Sequence, residues 1–241
     1  MAVNYGGTVN LVNAIKATGR SIPLIFTSSA SVMGPTQLQD RLVGRNEPLV
    51  VTGNYEESKI RCEEYLKANA DNYLVFRLAG VLPTITIRQI RVILPLFEEI
   101  FSMHRDMRLE MITAADVATA LVAGAEKLHS GSTPKNQAYI LGGGAKNGWQ
   151  MRGKEFLTHL FGAFSLPLPD EKYFTHDVNT YNLDWYDTSE AQREFNYQNN
   201  TLDDYLKNMS KTFWAFKLPI ILVQGIIIHE VEKMSPYREP S

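Results

Sequence analysis

Tyr55-Glu-Glu-Ser-Lys59 is the segment of this 241-residue chain with the most chemistry in its spacing. Four residues make about one helical turn, so a helix here sets a phenol and an ammonium on one face. A cation beside a phenol stabilises the phenolate, which is what a tyrosine general acid or base needs near neutral pH. A second reactive segment precedes it. The apolar run Pro23-Leu-Ile-Phe26 opens into Thr27-Ser28-Ser29-Ala30-Ser31-Val32-Met33-Gly34. This places hydroxyls at the carboxyl end of a strand, where open α/β sheets hold their ligands. Tyr and Lys four apart also occur on ordinary surface helices, and the pair takes its weight from this neighbouring strand end.

The elements that must position these groups follow from periodicity. Apolar residues at helical spacing predict a helix from Asn4 to Ala17, stopped by Gly19. Ile22–Phe26 reads as a buried strand, 27–54 as a long functional loop, Tyr55–Ala68 as a helix and Tyr73–Leu78 as a second strand, which together make a βαβ crossover. Further on, a helix is expected over Ile87–Phe101, a strand over Arg108–Ile112 and, behind the capping-box spacing Thr113-Ala-Ala-Asp116, a helix with Val117, Leu121, Val122, Ala125 and Leu128 on one face. Gln137–Leu141 predicts a strand and Met151–Phe164 a helix. Thr201-Leu-Asp-Asp204 caps a helix carrying Leu202, Tyr205, Leu206, Met209 and Phe213. Strands alternating with helices predict a doubly wound parallel α/β sheet, with a smaller lobe in the Pro-rich, aromatic stretch Ser165–Tyr186.

In this order and spacing, Asn4-Tyr-Gly-Gly-Thr8, the Thr27–Gly34 segment, Tyr55-x-x-x-Lys59, Arg77-Leu-Ala-Gly-Val-Leu-Pro83, Asp116-Val-Ala118 and the Asp187-Thr-Ser189 to Leu202 tail resemble the extended short-chain dehydrogenases of the NAD-dependent epimerase/dehydratase type. The resemblance runs from Asn4 to about Met209. It implies a partial Rossmann-like fold, with residues 1–145 the remainder of a nicotinamide-binding domain, 146–217 mainly a substrate lobe and 218–241 a C-terminal helix and tail. It implies NAD or NADP as cofactor and a small-molecule substrate, either a nucleotide sugar or a smaller carbonyl or hydroxyl compound. Tyr55 would exchange a proton with the substrate oxygen during hydride transfer, and Lys59 would bind the nicotinamide ribose. Ser29, which directly precedes Ala30, would hold the reacting oxygen, and Ser28 would sit near the cofactor. Asn4 would support the active-site end of its helix or serve as a plain helix cap. Leu82 and Pro83 would pass the nicotinamide.

Three features depart from the family's pattern. The strand, glycine-rich turn and helix that hold the pyrophosphate do not precede Asn4, so roughly 80 residues are expected to be missing and the first strand to carry an open edge. Gly142-Gly-Gly-Ala-Lys-Asn-Gly148 does not match the register of that turn and reads as a later structural turn. Gly80 stands where nucleotide-sugar members carry asparagine, and Met33 replaces a usual tyrosine. The first of these two weakens a nucleotide-sugar substrate. The function expected is therefore an epimerase, dehydratase or carbonyl reductase within a longer polypeptide. A non-catalytic interaction protein and one half of a split enzyme stay open beside it.

Composition excludes other classes. With 24 basic and 26 acidic residues and no basic run interleaved with aromatics, no nucleic-acid partner is expected. One cysteine, Cys62, forbids an internal disulfide and reads as a small core residue in a cytoplasmic protein. The N-terminus shows no signal-peptide pattern. Leu218–Ile228 is apolar but only eleven residues long, so a helix packed on the core is expected and no membrane span, with interfacial membrane contact or a subunit contact staying open beside it. The five histidines read as unpaired with any carboxylate at i, i+4, and no metal is expected. Glu63-Glu64 and Glu98-Glu99 read as solvated. A homodimer through the helices at Asn4 and Tyr55 fits the resemblance.

Overall fold

Short apolar runs pair side by side in the computed structural model, which describes residues 2–37, 40–84, 86 and 99–238. Strands β1 (Leu24–Ser29), β2 (Tyr73–Leu78) and β5 (Gln137–Leu141) form a parallel sheet in the order β1-β2-β5. Leu24 lies opposite Tyr73 and Ser29 opposite Leu78, while Leu74 lies opposite Gln137. A smaller sheet has the order β3 (Gly80–Leu82), β4 (Arg108–Thr113), β6 (Gln150–Arg152), with β3 parallel and β6 antiparallel to β4. Five of the six β2 residues are buried, as a strand flanked on both sides should be, whereas β1 at the sheet edge is mostly half-buried.

Helices α1 (Gly7–Ala17) and α2 (Asn54–Asn69) follow a π-helical turn and a long loop respectively. Helix α3 (Ala114–Ser130) starts where the Thr113 hydroxyl accepts from the Asp116 amide and ends at Gly131 with φ 73°, a left-handed stop. The Asp116 carboxylate does not close a capping box. It accepts instead from the Asn199 and Asn200 amides and from Asn200 Nδ2 at 2.6 Å, fastening the tail that leads out of helix α5 (Ser189–Phe195). Helices α4 (Gly153–Ala163), α6 (Leu202–Thr212) and α7 (Trp214–Lys233) complete the chain. Phe76, Tyr139 and Phe195 meet edge to face beneath the parallel sheet, with centroids 5.0–6.4 Å apart. Phe101, Trp149, Phe161, Phe174 and Phe213 fill a second core under the smaller sheet.

Several expectations are corrected. The first strand begins at Leu24 and runs to Ser29, so Ser28 and Ser29 are strand residues rather than loop. Glu63 is buried and paired with the buried Arg77 at 2.7 Å, because the β2 guanidinium comes up beneath α2 and a carboxylate is what compensates it. The C-terminal helix is twenty residues long rather than eleven, and it packs on the core only through its later turns. Ile227, Ile228 and Val231 face inward, whereas Trp214, Leu218 and Leu222 are exposed. Most of the helix expected at Ile87–Phe101, and Glu98, lie outside the described residues.

Candidate active site

Strand β1 and helix α2 bring the reactive side chains to one rim. Ser29 closes β1 with extended backbone (φ −128°, ψ 145°), and its hydroxyl caps the following 3-10 turn, Ala30–Met33, by accepting from the Ser31 amide. The Ser29 and Ser31 hydroxyls are 2.9 Å apart. Ser28 points the other way, as strand alternation requires, and its buried hydroxyl has no hydrogen-bond partner among the described residues. Tyr55 opens α2 and is half-exposed. One turn on, Lys59 Nζ donates to the Thr27 carbonyl at 2.8 Å, 5.8 Å from the Tyr55 ring centroid and 5.1 Å from that of Phe26. Burial lowers the lysine from its usual value, and the field of Cys62 and Glu63 opposes this only in part. Asn4 Nδ2 donates to the Ser58 hydroxyl, which donates to the Tyr55 carbonyl at 2.7 Å. Asn4 therefore ties the N-terminal turn to the start of α2, and the plain-cap role is not what the structure displays.

A cavity of about 740 Å³ opens beside this rim. Ser29, Ser31, Tyr55, Leu82 and Pro83 line one side, and Met103, Met111, Phe156, Leu160, Leu183, Leu202, Leu206 and Met209 the others. Of the sequence-predicted residues, Ser29, Tyr55, Leu82 and Pro83 thus share one cavity, while Lys59, Ser28 and Asn4 stand behind its wall. Sequence reasoning missed His159, Tyr181, Asn182 and Tyr205, which also line it. The Tyr205 hydroxyl donates to the Pro83 carbonyl at 2.9 Å and fixes that stretch of backbone. His159 lies 4.0 Å from Glu155 at i, i+4, a pairing visible in the sequence but read there as absent. A Cβ on Gly80 would overlap Met111 Sδ, so a side chain there would require the methionine to move.

The glycine turn at Gly142–Gly148 serves structure. Glu110, fully buried, accepts from the Gly144 amide at 2.8 Å, the Tyr186 amide at 3.0 Å and Gln150 Nε2 at 2.9 Å. Burial pushes this carboxyl up to about 7 against those hydrogen bonds. A Cβ on Gly142 would strike the same carboxylate, and one on Gly143 the Trp149 ring. The protein's own carboxylate thus occupies the place a ligand phosphate would take in a nucleotide loop.

Solved structures of low sequence identity share the fold. A dTDP-glucose 4,6-dehydratase from Bacillus anthracis in complex with NAD is 17% identical, with a TM-score of 0.64 over 88% of this chain and 67% of that one. A UDP-glucuronic acid 4-epimerase from Bacillus cereus, solved with a UDP-sugar and NAD, gives 18% identity and a TM-score of 0.64, covering 89% of this chain and 68% of the other. The UDP-glucose 4-epimerase of Thermotoga maritima with UDP-glucose gives 17% and 0.65, over 89% and 70%. The chain spans roughly two thirds of each. No curated protein matches the sequence. A family model does match, over residues 1–133, a stretch that holds Ser29, Tyr55 and Lys59 and exceeds half the chain. The chain belongs to the 3-beta hydroxysteroid dehydrogenase/isomerase family.

Proposed function

We propose that this protein is an NAD(P)-dependent oxidoreductase that interconverts a secondary hydroxyl and a ketone on a bulky, largely apolar substrate such as a hydroxysteroid. One observation carries the reading: a cavity of about 740 Å³ whose walls are mainly apolar, with Met103, Met111, Phe156, Leu160, Leu206 and Met209 among them, and whose rim holds Ser29 and Tyr55. That volume lies within the ~300–1,000 Å³ usual for small-molecule sites. An apolar skeleton gains from such walls by leaving water, whereas a nucleotide's phosphates would meet no lysine or arginine among the described lining residues. The family's name supports a hydroxysteroid, and the neighbours solved with NAD support the cofactor.

The residues at the rim fit the nicotinamide end of a dinucleotide. Lys59 is a half-buried cation at the carboxyl end of β1, and the orphaned Ser28 hydroxyl beside it lacks the partner a buried polar group requires. Lys59 would hold the ribose, with Leu82 and Pro83 passing the ring. The pyrophosphate would be held by residues other than Gly142–Gly148, whose turn is filled by Glu110. A bound nicotinamide would supply the hydride acceptor for the carbinol carbon in oxidation and the hydride donor in reduction. Ser29 donates a hydrogen bond to the reacting oxygen. Tyr55 takes the hydroxyl proton during oxidation and gives it back during reduction, with the Lys59 ammonium stabilising the phenolate. Asn4 and Ser58 hold the first turn of α2, and so the phenol, in place. A homodimer through α1 and α2 fits the exposure of Leu11 on α1, and the single buried cysteine fits a reducing compartment.

The test is turnover by the native polypeptide with NAD or NADP against hydroxysteroids and, separately, UDP- and dTDP-sugars. Reduction of nicotinamide with the hydroxysteroids and none with the sugar nucleotides is expected. Turnover confined to the sugar nucleotides would overturn the substrate assignment while leaving the site intact.

A further inference from the structure

Several polar groups on the cavity wall are already paired within the protein. The Ser29 and Ser31 hydroxyls lie 2.9 Å apart, the Thr180 hydroxyl donates to the Asp177 carbonyl at 2.9 Å, Asn182 Nδ2 to the Thr52 hydroxyl at 2.7 Å and the Tyr205 hydroxyl to the Pro83 carbonyl at 2.9 Å. His159 and Tyr181 differ from these. Both are half-buried and line the cavity, and neither side chain makes a hydrogen bond among the described residues. The imidazole's charged neighbour, Glu155, is 4.0 Å away, beyond hydrogen-bonding reach. Burial pushes the Tyr181 phenol up and the field of Glu99 adds to this, so it stays a neutral donor. A polar group set in an apolar wall without a partner costs free energy, and a ligand that brings the partner recovers it.

Both groups are held from behind. Phe156, His159 and Leu160 share one face of α4, and all three line the cavity. Tyr181 stands three residues before Asp184, whose carboxylate pairs with the buried Arg108 guanidinium at 2.7 Å. Neither group stands on β1 or α2, the elements that carry Ser29 and Tyr55. Glu99 also lines the cavity and no lysine or arginine does among the described lining residues, so this wall disfavours an anion.

We propose that His159 and Tyr181 hold a second, uncharged oxygen of the substrate, a ketone or hydroxyl carried on the apolar skeleton away from the carbon on which Ser29 and Tyr55 act. The inference rests on the apolar-substrate reading of the same cavity. A phenol and a neutral imidazole each offer a donor and an acceptor, so either kind of oxygen is served. A cavity that did no more than exclude water would prefer the skeleton without that oxygen, because the deoxy compound is the more hydrophobic. The two accounts therefore predict opposite orders of affinity.

Equilibrium dialysis of the native polypeptide with three hydroxysteroids of one skeleton tests it: one with a ketone at the end remote from the reacting hydroxyl, one with a methylene there and one with a sulfate ester there. The ketone is expected to bind about tenfold more tightly than the deoxy compound, and the sulfate least tightly. Tyr181→Phe and His159→Phe are each expected to shrink the preference for the ketone severalfold with the melting temperature unchanged. A wild type that binds the deoxy compound as tightly as the ketone overturns the inference, as does a preference that survives both substitutions. The sulfate bound most tightly would overturn the uncharged oxygen. Nicotinamide reduction followed on the same compounds separates this contact from the oxidoreductase reading. Turnover without a binding preference removes the contact and leaves the reading, a preference without turnover does the reverse, and failure of all three compounds to bind removes both.

Discussion

Glu63→Ala should destabilise the packing of α2 against β2. Arg77 sits in the middle of the parallel sheet with Nε and Nη2 on the Glu63 carboxylate at 2.7–3.2 Å and Nη1 on the Arg45 carbonyl at 2.8 Å. Both partners are more than nine-tenths buried. Truncating the glutamate leaves a guanidinium out of water with, among the described residues, the Arg45 carbonyl as its remaining partner, a change worth about 3–5 kcal/mol. Against a total stability of about 5–15 kcal/mol, this is about a fifth or more of the whole. For a domain of this size about 2–4 °C of melting temperature accompanies each kcal/mol, so a fall of about 6–20 °C is expected by circular dichroism. Glu63→Leu/Arg77→Met, which removes both charges, should recover to within about 1 kcal/mol of the wild type or exceed it. A Glu63→Ala cost below about 0.5 kcal/mol, the range of a solvated surface carboxylate, would refute the buried-pair account.

Glu110 makes stability fall as pH rises. Its carboxyl is raised from 4.5 to about 7 in the folded protein, so between those values the native state keeps a proton that the unfolded chain loses. The stabilisation is full below the unfolded value and lost as pH passes the folded one, about 3 kcal/mol at most. Urea midpoints at about pH 5 and pH 8 should therefore differ less in Glu110→Gln than in the wild type, and equal slopes would contradict the assignment. Gly143→Ala forces a methyl into the Trp149 ring and to 2.7 Å from the Met111 carbonyl. It should cost about 1–3 kcal/mol by overpacking, measured by the same denaturation.

What the sequence discloses divides by physical cause. Tyr55, Lys59 and Ser29 were legible because their spacing fixes a common helical face and a strand end, and Tyr73–Leu78 and Gln137–Leu141 because a short, mainly apolar run rich in aromatic and branched residues has few other uses. The cavity wall was not. Leu202, Tyr205, Leu206 and Met209 have the same spacing whether they face a core or an empty pocket, and only the fold decides which. Glu63, on α2, looked solvated because its partner comes from strand β2, fourteen residues on. In α7 the apolar run was counted between Leu218 and Ile228, whereas the helix continues through Trp214 and Lys233, which lie in flanking residues with good helix geometry but weaker apolar signal.

The central claim, that Tyr55 exchanges the substrate proton with Lys59 behind it, is met most directly by single-site kinetics of the native polypeptide. Tyr55→Phe should lower turnover by about 10²–10⁴ while nicotinamide binding, followed by fluorescence titration, stays nearly intact. Lys59→Ala should impair both. Turnover of Tyr55→Phe within a factor of a few of the wild type would contradict the account.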